Sequence, residues 1–83
     1  IIKSVLEKVV TILDPLDEKL WTKEKVKESL WDYATETGRG LVLWTMRYIL
    51  SGLEKSPDPF VLSEALGKEQ TLLRIKQTLK ILD

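Results

Sequence analysis

The sequence predicts an all-α fold, a compact bundle of about five helices forming a single domain over residues 1–83. Three observations support this class. Apolar residues recur three and four positions apart through most of the chain, which is the period of a helix with one buried face. Glycines, prolines and short polar side chains stand where such segments would begin and end. The apolar run 41–44 has the character of a strand, but no second strand is available to pair with it.

The first two helices are bounded by local signals. The first is predicted over residues 1–13 and ends before Pro15, because the residue that precedes a proline avoids the α region. Residues 14–22 form a connector that includes a short helical turn. Thr22 is the predicted N-cap of the second helix, and Gly38 is the residue that ends it.

The second half of the chain is punctuated more strongly. The run 41–44 is predicted to be an extended entry into a third helix that Gly52 ends. A proline-containing loop follows, and Asp58 and Pro59 are typical of the N-cap and first position of a helix. Gly67 ends this fourth helix, and the fifth is predicted over residues 68–82.

Composition excludes several classes of function. The 83 residues include no cysteine and no histidine, which excludes disulfides, thiol catalysis, histidine acid–base chemistry and the usual zinc sites, so no metal is expected. The serines have no histidine to activate them, and no glycine-rich phosphate loop is present, so we expect no active site in this chain. Because the chain begins with Ile1, we expect it to be a piece of a longer protein.

The charge is balanced, with 13 basic and 13 acidic residues. Residues 1–37 carry six lysines and eight acidic residues, whereas residues 38–83 carry seven basic and five acidic residues. A strongly basic nucleic-acid module would show a larger excess, so any site for a polyanion must be local. No stretch approaches the roughly 20 apolar residues of a membrane span.

A few side chains allow more than one interpretation. Trp21, Trp31 and Trp44 are predicted to be structural residues of the core or its rim, although tryptophans also serve as stacking platforms for bases. For Phe60 the pattern alone favours the core and leaves a surface position open. Arg47 is predicted to face outward from the third helix.

Three motifs resemble a known family. The segments LWTMRYILSG (43–52), SPDPF (56–60) and EALGKEQTLLRI (64–75) are similar to the C-terminal end of bacterial-type glutamyl-tRNA synthetases, which are class I aminoacyl-tRNA synthetases. The resemblance covers residues 16–82 and is dense from Gly38 to Ile75. Thr45 stands where the family usually has proline, and we expect Thr45 to cap the start of the third helix instead.

The resemblance implies a function and a set of site residues. In this family the C-terminal α-helical domain binds the anticodon loop of the glutamate tRNA. The residues that match the family motifs at this site are Arg47, Ser56, Pro57, Asp58, Pro59 and Phe60. Weaker candidates for phosphate contacts are Lys55, Lys68, Arg74 and Lys76.

The resemblance also implies what this chain lacks. The family's catalytic domain, which uses ATP and Mg²⁺ and carries HIGH-like and KMSKS-like motifs, lies earlier in the parent chain, and neither motif occurs here. We therefore expect no enzyme activity and no cofactor in this piece, a cytoplasmic parent, and no membrane or DNA partner. The expected partner is the glutamate tRNA, with the glutamine tRNA left open. The alternative is a helical protein–protein interaction module without RNA binding.

Overall fold

The computed structural model describes residues 2–52 and 57–82, and within them it contains helices and no strand. The all-α prediction is therefore confirmed. The elements, in chain order, are α1 (Ile2–Leu13), a short 3₁₀ helix (Glu18–Leu20), α2 (Lys23–Thr37), α3 (Arg39–Ser51) and α4 (Pro59–Leu82).

The predicted boundaries of α1 and α2 are confirmed. The first helix ends at Leu13, two residues before Pro15. The Thr22 hydroxyl oxygen accepts a hydrogen bond from the backbone N–H of Lys25 at 3.2 Å, so Thr22 caps α2 as predicted. At the other end, Gly38 adopts a positive φ of 127°, a conformation that favours glycine, and its N–H donates to the carbonyl of Ala34.

The predicted start of α3 is wrong. The helix begins at Arg39, so the run 41–44 is helical and not extended. Gly38 turns the chain so tightly that its carbonyl already accepts the first helical hydrogen bond, from the N–H of Val42 at 3.1 Å. Thr45 therefore lies within the helix and does not cap it. Its hydroxyl instead donates to the carbonyl of Leu41 at 2.7 Å.

Gly67 divides α4 into two helical segments, 59–66 and 68–82. It adopts φ 84° and ψ 164°, a region open almost only to glycine. The fourth and fifth predicted helices are thus present, joined end to end through this one residue. With α1, α2 and α3 they make five α-helical segments within the described residues, in agreement with the predicted bundle.

All four helices and the connector contribute to one core, whose best-buried side chains include Leu6, Leu13, Leu30, Met46, Leu50 and Ile75. Trp21 is 7% exposed and Trp31 is half-buried against the core, which agrees with structural roles for both. The same prediction is wrong for Trp44, which is 43% exposed. Trp44 lies on the outer face of α3, because it is two residues, or about 200° of rotation, from both Val42 and Met46, which are buried.

Two side chains hold the connector between α1 and α2 against α4: Trp21 of the connector and Lys68 of α4. The indole N–H of Trp21 donates to the carbonyl of Ser63 at 2.8 Å, in the core. The ammonium group of Lys68 donates to the carbonyls of Asp14 and Leu16, each at 2.7 Å. The two bonds from Lys68 satisfy carbonyl groups of the connector just after the end of α1.

Candidate nucleic-acid interface

The predicted site falls where α3 ends and α4 begins. Gly52 follows the last turn of α3 in a left-handed conformation with φ 73°, and Pro57 precedes α4. Five peptide units join Gly52 to Pro57, so these two residues lie at most about 18 Å apart. Ser56 and Lys55, which belong to the predicted site, lie outside the described residues.

The start of α4 is built as predicted. The carboxylate of Asp58 accepts a hydrogen bond from the backbone N–H of Phe60 at 2.7 Å, and the carbonyl of Asp58 accepts from the N–H of Leu62 at 3.0 Å. Pro59 occupies the first helical position, where its missing N–H has no cost. Pro57 and Asp58 are exposed, whereas Pro59 is buried. Pro57 and Asp58 are therefore exposed to solvent directly before α4, and the two hydrogen bonds of Asp58 fix its position.

Arg47 lies one turn before the end of α3. It is half-buried, so the prediction that it faces outward holds only in part. Its carbonyl accepts a hydrogen bond from the hydroxyl of Ser51 at 2.6 Å. The guanidinium of Arg74 donates to the carbonyl of Leu50 at 2.8 Å, so a second arginine is held at the same end of α3. A cation at this position also interacts favourably with the helix dipole.

Phe60 is a core residue, as the residue pattern alone favours. Its side chain is 3% exposed and belongs to the buried cluster. A ring stacks on a base only when one face is free, so the stacking role implied by the resemblance does not fit the ring's position in this structure. Phe60 instead fixes the first turn of α4 and thereby the exposed residues before it.

The basic residues of the last segment of α4 do not form one face. Lys68 and Lys76 line a shallow groove together with Glu18 and Glu69, so two carboxylates offset the two ammonium groups. Two of the three N–H donors of Lys68 are already committed to the carbonyls of the connector. Arg74 lies apart from this groove, at the end of α3. The groove is therefore a weak candidate for binding phosphate.

Two cations beside the site were not predicted. Lys23 and Lys27, in the first turns of α2, line a depression of about 280 Å³ together with Phe60. Glu24 and Asp58 line it as well, so two carboxylates offset the two ammonium groups here too. The backbone N–H of Lys23 donates a hydrogen bond to the carboxylate of Glu64 at 2.7 Å, and this bond holds the start of α2 against α4. No local signal could have found these lysines, because more than thirty residues separate them from Asp58 along the chain.

The described residues contain no group of acidic side chains arranged to hold a metal ion. Within the same part of the chain, no helix is long and apolar enough to cross a membrane. The described residues therefore hold two arginines at the end of α3 and two lysines beside the start of α4. Cations of this kind contact the phosphates of a polyanion, and the balanced charge of the chain means that any such site is local.

A comparison with protein families matches residues 1–79 to the anticodon binding domain. A comparison with curated proteins finds glutamate–tRNA ligases from clostridia. The ligase of Clostridium botulinum strain Eklund 17B is 35% identical over 80 residues, which are 93% of this chain and 16% of the relative. The ligase of Clostridium tetani is 36% identical over 74 residues, and that of Clostridium kluyveri is 32% identical over 78 residues.

The chain spans only about a sixth of the length of these relatives. It therefore corresponds to one part of such a ligase. No solved structure matches the chain.

Proposed function

Because the chain belongs to the anticodon binding domain family, we propose that it binds the anticodon loop of the glutamate tRNA as part of a glutamate–tRNA ligase. The observation that carries the proposal is the family match over residues 1–79, together with the similarity to the glutamate–tRNA ligases named above. The comparisons favour this function over a protein-interaction module without RNA binding. Attachment of glutamate with ATP and Mg²⁺ belongs to the rest of the parent enzyme, which we expect in the cytoplasm.

The geometry around the end of α3 supports base recognition. Anticodon bases are recognised when they are unstacked and turned out of the loop. The guanidinium of Arg47 is suited to stack on such a base or to donate paired hydrogen bonds to its edge. Pro57, which is exposed, and Pro59, which is buried, stiffen the approach to α4, so less conformational entropy is lost when RNA binds. Asp58, exposed between them, adds a carboxylate that accepts hydrogen bonds from base amino groups.

Phosphate contacts fit the cations around this point. Lys23 and Lys27 lie beside Asp58 on the surface and would meet a backbone that follows the anticodon bases. Ser56 and Lys55 remain candidates by sequence. Arg74 is held near the end of α3, which supports a contact between its guanidinium and the same backbone. Each phosphate contact makes binding weaker as salt rises.

The test is tRNA binding by the full-length ligase with Arg47→Ala. A lost base contact lowers affinity by about 1–3 kcal/mol, or roughly 5- to 150-fold. The comparison uses the glutamate tRNA and the same tRNA with an altered anticodon. We expect the substitution to weaken binding of the cognate tRNA strongly and to leave the altered tRNA nearly unchanged.

Lys25→Ala is the matched control, because Lys25 is an exposed cation of α2 whose ammonium lies within 3.9 Å of Glu28. It should change neither affinity by more than a small factor. If the unsubstituted ligase binds the cognate and altered tRNAs equally, base recognition by this domain is excluded. Binding of the glutamine tRNA in the same assay determines whether the parent accepts both tRNAs.

A further inference from the structure

Arg74 lies in the second segment of α4 and holds the end of α3. Its guanidinium Nη1 donates a hydrogen bond to the carbonyl of Leu50 at 2.8 Å. The last four carbonyls of an α-helix have no partner within the helix, so a partner must come from elsewhere. At the end of α3 the carbonyl of Tyr48 accepts from the N–H of Gly52 at 2.7 Å, and the carbonyl of Leu50 accepts from Arg74. A side chain of α4 therefore stabilises the last turn of α3.

This bond acts on the turn that carries Arg47. Leu50 follows Arg47 by three residues, so the two are neighbours on the surface of the helix. The side chain of Leu50 is 1% exposed, and that of Arg47 is half-buried. A half-buried side chain keeps its orientation through the packing around it. Loss of the bond from Arg74 would therefore loosen the last turn of α3 and, with it, the orientation of the Arg47 guanidinium.

The segment that carries Arg74 is itself fixed in the core. The next residue, Ile75, is fully buried. One turn before Arg74, the buried hydroxyl of Thr71 donates to the carbonyl of Ser63 at 3.3 Å. This bond spans the bend at Gly67, so it holds the two segments of α4 in a fixed relative orientation.

The first segment of α4 carries the other half of the candidate site. The hydroxyl of Ser63 donates to the carbonyl of Pro59 at 2.8 Å, and Asp58 caps the same segment. The exposed residue Asp58 is thus connected through α4 to Arg74. The bond from Arg74 to the end of α3 extends this connection to the turn that carries Arg47.

We propose that Arg74 is a positioning residue for anticodon recognition, which holds Arg47 in a fixed place relative to Asp58. This inference deepens the proposed function and rests on it. Paired hydrogen bonds to a base edge require donors placed to within about 0.5 Å, and supporting residues provide that precision. The positioning role acts through the carbonyl of Leu50 and does not require Arg74 to touch the RNA.

Discrimination between two tRNAs by the full-length ligase tests this role. The readout is the dissociation constant for the tRNA with an altered anticodon, divided by that for the glutamate tRNA. Arg74→Met keeps the apolar stem of the side chain and removes the donor. We expect it to lower this ratio by roughly 2- to 30-fold. A phosphate contact made by the same guanidinium weakens both tRNAs equally, so an unchanged ratio would overturn the proposal.

A double-mutant cycle with Arg47→Ala determines whether Arg74 acts through Arg47. In the Arg47→Ala background, Arg74→Met should change the ratio no further, because the side chain to be positioned is gone. An equal loss in both backgrounds would overturn the proposal. Lys80→Met is the matched control, because Lys80 is an exposed cation of the same helical segment. It should leave the ratio unchanged, and a loss as large as that of Arg74→Met would also contradict the positioning role.

Hydrogen exchange of the same ligase without tRNA measures the effect on α3 directly. In Arg74→Met the backbone amides of residues 49–52 should exchange several-fold faster, while those of α1 and α2 keep their rates. Unchanged exchange at residues 49–52 would overturn the proposal, as would equally faster exchange throughout the domain, which indicates a general loss of stability.

The same measurements separate this inference from the proposed function. A ligase that distinguishes the two tRNAs equally well with and without Arg74→Met overturns this inference alone. An unsubstituted ligase that does not distinguish them overturns the proposed function and, with it, the role of Arg74.

Discussion

Replacement of Lys68 by methionine separates a structural role from an RNA-binding role for this residue. The substitution keeps the length and the apolar stem of the side chain and removes the ammonium. In the structure that ammonium donates to the carbonyls of Asp14 and Leu16, each at 2.7 Å. Both carbonyls lie in the connector after α1. When methionine replaces Lys68, they lose the ammonium as a partner, and the contact between this connector and α4 becomes weaker.

The expected loss can be estimated. A hydrogen bond to a charged group contributes about 1.5–3 kcal/mol to the free energy of unfolding. The contributions of the two Lys68 bonds do not simply add, because both bonds come from one ammonium group that is only half-buried. We therefore expect Lys68→Met to lower the free energy of unfolding by about 2 kcal/mol. For a domain of this size, such a loss lowers the melting temperature by about 8–16 °C. Urea denaturation followed by tryptophan fluorescence measures the free energy of unfolding directly.

Lys76→Met is the matched control, because Lys76 lines the same groove but is exposed. We expect it to change the free energy of unfolding by no more than about 0.5 kcal/mol. Equal stability of the two variants would refute the reasoning. A phosphate role for Lys68 would show itself differently, as a loss of about 0.7 from the slope of log affinity against log salt.

Four further substitutions test other parts of the structure. Trp21→Phe removes the indole donor to a buried carbonyl and should cost about 1–3 kcal/mol in urea denaturation; no loss would mean that the bond is dispensable. Phe60→Leu should lower the free energy of unfolding by about 1 kcal/mol yet leave the affinity of the full-length ligase for its tRNA unchanged, whereas a large loss of affinity would restore a stacking role. Gly67→Ala should destabilise by about 1–3 kcal/mol because its conformation is open almost only to glycine. Gly40→Ala, within α3 and with open space around it, should stabilise by about 0.5–1 kcal/mol. A thermal melt that shifts in the opposite direction for either variant would contradict the expectation for that variant.

The helix boundaries that sequence predicts correctly depend on neighbouring residues alone. Thr22 and Asp58 cap helices through their own side chains, two or three residues away. Gly67 ends a helical segment because few other residues tolerate its backbone angles. Such chemistry is fully present in a short stretch of sequence.

The start of α3 could not be predicted in this way. A short apolar run such as 41–44 suits a helix or an extended segment equally, and packing between elements decides which one forms. In this protein Val42 is fully buried, while Trp44 two residues later is exposed. A helix with one buried face produces that pattern, but the face becomes known only once α1, α2 and α4 are in place.

The candidate site likewise contains some residues that the sequence indicates and others that only the packing of the helices brings together. Arg47 and the residues from Pro57 to Phe60 are close in sequence and match the family motifs, so the resemblance implies them from the sequence. Lys23 and Lys27 join the site only because α2 packs on the start of α4. The burial of Phe60 likewise depends on the core as a whole, which is why the residue pattern and the family resemblance gave different predictions for its ring.

The bonds between the connector and α4 also have a consequence for synthesis on the ribosome. The partners of these bonds are 42, 52 and 54 residues apart along the chain. At about 5–20 residues per second, the ribosome adds the second partner roughly 2–11 seconds after the first. During that interval α1 and α2 expose apolar faces that α4 later covers. The nascent first half of this domain is therefore a substrate for chaperones until its last helix emerges.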